Sequence, residues 1–153
     1  MAARDSALRL GAVLMVVGAL IFFVYAVAFF FRSFGTGFEI GVPTLNGVTL
    51  ANLDALNPAI MSYIRHLHLA TAGFIAATAI AVGALAWYGV RAGAWWAWIA
   101  AVAAPVVGLA VALPMHYTGA FEHDWVSHLG PIYVGTLIYV AGALVGLKGL
   151  ATK

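Results

Sequence analysis

Four apolar stretches alternate with less apolar connections along the chain. They fall at 6–31, 58–89, 95–113 and 131–147. A helix needs roughly 17–25 predominantly apolar residues to cross a bilayer core, and each stretch meets that requirement. The first follows a basic, signal-like start, MAARDSALRLG, but its apolar run continues to Phe31. That is longer than the apolar core of a signal peptide, so it reads as a retained spanning helix. Its Gly11, Ala12, Gly18 and Ala19 would let a neighbouring backbone approach, and its phenylalanines (Phe22, Phe23, Phe29, Phe30, Phe31) suit lipid. On a wheel of about 100° per residue the second stretch has two arcs. Leu67, Phe74, Ile75, Val82 and Leu85 form a bulky one; Ala72, Ala76, Ala79, Gly83 and Ala86 form a small one, expected to face the other helices. The third opens on Trp95, Trp96 and Trp98, read as an interfacial belt. Pro105 should kink it and free a carbonyl near residue 101 for a partner. The fourth carries one GxxxG pair, Gly142 and Gly146.

The connections differ from one another. Residues 33–57 alternate weakly between polar and apolar, and Leu45-Asn46-Gly47-Val48 is a hairpin signal, so a small ribbon and an irregular loop both fit. Asp54 or Asn57 is placed to cap the second helix, with Pro58 in its first turn. Residues 90–94 form a tight turn. Residues 114–130 are the most polar part of the chain, with a short amphipathic helix expected over 121–129.

Composition narrows the class. Of the 153 residues, 65% are hydrophobic and 8% charged, against roughly 25% charged in soluble domains. Lipid is therefore the solvent for most of the surface, and the expected fold is all-α, a four-helix transmembrane bundle in one domain spanning residues 1–153. There is no cysteine, which removes disulfides, thiolate metal sites and Cys-x-x-Cys redox chemistry. The small basic excess forms no cluster and does not point to nucleic acid. Arg4, Arg9, Arg91, Lys148 and Lys153 fall at one end of the bundle, Arg32 and Arg65 at the other. The positive-inside rule then predicts cytoplasmic termini, two extracytoplasmic caps (33–57 and 114–130), and a multi-pass protein of the cell membrane.

All five histidines, His66, His68, His116, His123 and His128, belong to the capped end, together with Glu39, Asp54, Glu122 and Asp124. Imidazole and carboxylate without thiolate suits a zinc, copper or iron ion. His68 facing His116 would suit a haem b. His68 and His116 carry most weight, because both lie close to hydrocarbon, where an ionisable group is costly. His66 lies about 200° from His68 around the helix, so the two share no face. Asp124 and His128, four apart, would share a helical face. The candidate site is thus His66, His68, His116, His123, His128, Glu122 and Asp124, with Arg65 and Tyr117 in support. Interfacial anchoring explains such residues equally well.

The text R-A-G-A-W-W-A-W around Arg91, then Pro105 and L-P-M-H-Y, resembles small four-helix integral membrane proteins of bacteria and archaea. The resemblance covers the second to fourth helices and implies the topology; that family brings no assigned activity. Fluc-type, small multidrug-resistance and glutathione-linked four-helix families need polar residues inside the spans. The cores of the first, third and fourth stretches have no Asp, Glu, Asn or Arg. Three functional readings follow. One is a binding or redox-associated module holding a metal, haem, quinone or lipid-like ligand at the capped end. Another is an enzyme acting on a lipid or isoprenoid, with His116 or His128 as general base. The last is an accessory subunit of a larger membrane complex or a homo-oligomer, with the glycine face of the fourth helix free for its partner.

Overall fold

A computed structural model describes residues 2–152. Four long helices make up the body: α1 (Ala2–Arg32), α3 (Pro58–Ala84), α4 (Trp95–Ala112) and α6 (Gly130–Ala151). Two short ones, α2 (Leu50–Leu56) and α5 (Trp125–His128), lie in the connections. The four long helices are each long and apolar enough to cross a membrane, and no strand occurs among the described residues. The architecture is that of a multi-pass, all-α membrane protein. α1, with 31 residues, is about 46 Å long at ~1.5 Å per residue, so it exceeds the ~30 Å hydrocarbon core. α3 runs on without a break into a π-helical turn, Leu85–Val90. Gly93, at φ +78°, then reverses the chain towards α4.

α1 is the central rod, packed against both α6 and α3. Its seam with α6 is made of backbone. A Cβ on Gly11 would come within 2.5 Å of the Gly146 nitrogen, and one on Gly142 within 2.6 Å of the Met15 nitrogen. In lipid there is little hydrophobic drive between helices, so such close backbone contact is what holds them. The glycine face of α6 is therefore filled by α1 and is not free for a partner. The core beside this seam contains Met15, Ala19, Val82, Ala86, Ala101, Tyr139 and Ala143. Ala72, Ala79 and Ala86 of the small arc of α3 are buried as expected. Val82, assigned to the bulky arc, is buried too, because α3 turns the boundary between its arcs towards α1.

Pro105 lacks an N–H, so the Ala101 carbonyl four residues earlier has no helical donor. The Tyr139 hydroxyl donates to that oxygen at 2.8 Å. The same pair of helices is joined again where the Trp98 indole donates to the Ala143 carbonyl at 2.9 Å. Trp98 thus belongs to the interior and not to the belt, which Trp95 and Trp96 supply. Most of the α4 surface is otherwise exposed.

At the end opposite the termini, the 33–57 connection is neither a ribbon nor shapeless. Two isolated antiparallel bridges, Glu39–Val42 and Leu45–Val48, frame it. Asn46 and Gly47 both take positive φ in the turn of the second bridge, as an Asn-Gly hairpin signal requires. Helix α2, not expected from the pattern, begins in a capping box: Asn52 and Thr49 satisfy each other's backbone amides. Of the two caps considered for α3, Asn57 serves, accepting from the Ala59 amide at 3.0 Å. The polar stretch 114–130 folds as a 3-10 turn, Pro114–Tyr117, then α5, which is shorter than the 121–129 helix expected.

Candidate functional site at the capped end of the bundle

The two long connections meet, and their meeting builds the site. Phe38 and Val42 are buried, which pins the Glu39–Val42 bridge against the bundle. Gly41, at φ +72°, lies so close to α5 that a Cβ there would meet the Ser127 hydroxyl at 2.7 Å and the His128 nitrogen at 3.0 Å. The Asp124 amide donates to the Gly41 carbonyl at 2.9 Å. Asp124 then caps α5 by accepting from the Ser127 amide at 2.7 Å and its hydroxyl at 2.6 Å. These bonds hold the Asp124 carboxyl below its ordinary range, and they orient the short helix that carries His128.

His128 is only 1% exposed. Its Nδ1 faces the Ile40 carbonyl at 2.6 Å, and its Nε2 faces the Nε2 of His116 at 2.8 Å. His116 sits on the 3-10 turn, with its Nδ1 against the Ala112 and Leu113 carbonyls at 3.1 and 3.3 Å. The Glu39 carboxylate bridges from the other side. One oxygen lies 3.9 Å from the His128 Nε2, the other 3.5 Å from the Nε2 of His68 on α3. The His68 ring also lies against Phe29 of α1, with centroids 5.3 Å apart. Burial by itself would raise the Glu39 carboxyl, but the hydrogen bond and charge of His68 and the charges of His128 and His116 outweigh it and keep the group ionised. His128 is pushed down towards its neutral form, chiefly by burial, against the pull of the Ile40 carbonyl and Glu39.

His123 completes a cluster of imidazoles. Its ring centroid is 5.5 Å from that of His116 and 5.2 Å from that of His128, and both its nitrogens are shielded without a hydrogen-bond partner. His116, His123 and His128 thus lie side by side, and His68 reaches them only through Glu39. His66 is exposed on the other side of α3. Glu122 is exposed and makes no ion pair among the described residues, and Asp124 works on backbone, not on an imidazole. Arg65 donates to the Ser33 carbonyl at 3.3 Å and lies over Phe34, as an anchor would. Tyr117 shares a hydroxyl hydrogen bond with Tyr133 and packs on Trp125. Among the described residues no three histidine or carboxylate side chains are arranged to hold a metal ion.

Glu39 is the carboxylate the site uses, and residue patterning did not single it out from Asp54, Glu122 and Asp124. One signal was present: it is flanked by Phe38 and Ile40 and followed closely by Val42, so its segment was bound to bury at least one side.

Below His116 a cavity of about 480 Å³ opens between α1, α3, α4 and α6, and it is open on its side, where Phe74, Val106 and Val140 of its lining are exposed at the outer surface. Its wall is apolar, with Phe22, Phe74, Ile75, Leu109 and Ile132 among the lining residues, and His116 stands at its head. Tyr25, Thr71, Thr78, Thr136 and Tyr139 supply the few hydroxyls on its wall. The Thr136 hydroxyl is buried with no partner. Gly108 borders the cavity, and a Cβ placed there would meet nothing within 4 Å. Compared with family models, with curated proteins and with solved structures, the chain matches none.

Proposed function

We propose that this protein is a membrane binding module that takes a lipid-like ligand of the quinone or isoprenoid class. The apolar part of the ligand lies in the interhelical cavity, and its polar head lies against His116. The observation that carries the reading is the cavity itself, about 480 Å³ of apolar space running up to an imidazole. Small-molecule sites are concave, mostly apolar and provided with a few convergent polar groups, and this volume falls within their usual ~300–1,000 Å³. The unpartnered Thr136 hydroxyl is a second support, since a buried donor without an acceptor costs free energy that a ligand oxygen would relieve. The excess of Arg4, Arg9, Arg91 and Lys148 at the terminal end supports cytoplasmic termini and a site near the outer leaflet of the cell membrane.

An enzyme acting on such a lipid is the second reading. What favours it is the continuity between the cavity and an imidazole at its head.

Gly108→Phe tests the binding. The new ring enters open space, so folding and melting temperature should hold while the cavity fills. Protein released gently from its native membrane and weighed intact should carry one retained lipid-like molecule, and the variant should lose it. Equal retention by both would refute the reading.

A further inference from the structure

The His116–His128 contact is short of one proton if both rings are neutral. Each ring has two nitrogens, and the structure fixes what two of the four positions require. The His128 Nδ1 faces a backbone carbonyl, the His116 Nδ1 faces two, and a carbonyl can only accept. Both Nδ1 atoms therefore carry hydrogen. In a neutral imidazole the remaining Nε2 is then a bare acceptor. Two bare acceptors would face each other at 2.8 Å, which is hydrogen-bonding distance with nothing to bond. The arrangement closes only when one more hydrogen lies between the two Nε2 atoms. The pair then holds three protons and one positive charge.

The surroundings fit a cation. Glu39 offers an ionised oxygen 3.9 Å from the His128 Nε2, and a buried charge needs such a partner. The groups facing the pair are Glu39 from the 33–57 connection, His68 from α3 and His123 from the segment before α5. His116 is the member of the pair that lines the cavity.

We propose that His116 and His128 store one shared excess proton at the head of the cavity, exchanged with solvent on the side of Glu39 and His68, whose side chains are 31% and 15% exposed.

Histidine-selective isotope labelling of the full chain in micelles, followed by NMR near neutral pH, reads the stored proton without any ligand. The expected spectrum has both Nδ1 atoms protonated and one far-downfield proton coupled to both Nε2 atoms. His128→Gln should abolish that line. Glu39→Gln should keep it but lower the pH at which it is lost by about one unit. Two neutral rings in the wild-type spectrum would overturn the storage.

Discussion

Two interfaces of α1's bundle stand in contrast. Along α1 and α6 the backbones touch through Gly11, Gly18, Gly142 and Gly146, and no side chain fits between them. Between α4 and α6, by contrast, two side-chain bonds to backbone carbonyls span the gap, and the space bounded by these helices and α3 is empty of protein. Each includes glycine. What separates them is whether a glycine meets backbone or open space: Gly142 lies against Met15, Gly108 against nothing. Small residues in a membrane helix therefore mark two opposite things, a seam or a hollow, and sequence alone does not tell which.

The sharpest way to break this contrast is Gly142→Leu. Its side chain would have to occupy the space of the Met15 amide, which cannot move without unseating α1. Overpacking of this kind costs at least about 1–3 kcal/mol, and a backbone clash more. Thermal unfolding in detergent should show a large drop in melting temperature, whereas Gly108→Phe should leave it unchanged. If the two variants behave alike, the seam and the hollow are not distinct.

Tyr139→Phe should have an intermediate effect. It strands the Ala101 carbonyl that Pro105 deprives of its helical donor. Hydrogen bonds between membrane helices average about 0.6 kcal/mol, rising to roughly 1.7. Pro105→Ala restores an N–H to that carbonyl, so Tyr139→Phe should cost less in its presence. A double-mutant cycle checks this, and additive effects would contradict it.

The smallest effect concerns acid. Burial lowers the folded pKa of His128 below its ordinary 6.5, so the unfolded chain binds the extra proton first. The resulting stability is present above about 6.5 and declines as pH falls towards the folded value. Glu39, also held below its ordinary 4.5, adds a second loss at still lower pH. Denaturation midpoints measured across this range should fall in two steps, and Glu39→Gln should remove the lower one.

The spans were legible because lipid enforces length and hydropathy locally. Pro105 was legible for the same reason: a missing N–H frees its carbonyl wherever the helix lies, and only the donor, Tyr139, depended on packing. The gathering of His68, His116, His123 and His128 at one end could be read from topology. Their geometry could not, because it depends on Gly41 docking against Ser127, a contact 86 positions apart along the chain. Glu39 was not singled out from Asp54 for that reason, while Asp124 drew attention by its four-residue spacing to His128 and Glu122 by lying in the same polar stretch. Trp98 was misassigned because an indole at a helix start looks the same whether its N–H meets water or the Ala143 carbonyl.

The central claim is that the hollow under His116 is a binding site. Trp98 packs on the core that floors it, so a variant keeping Trp98 as its sole tryptophan reports on the interior. Titrated with a decyl probe brominated near its chain end, its fluorescence should be quenched along a saturating curve, and Gly108→Phe should abolish that quenching. Quenching that rises linearly and equally in both proteins would mean that the probe reaches Trp98 only from the surrounding lipid, and the account would be wrong.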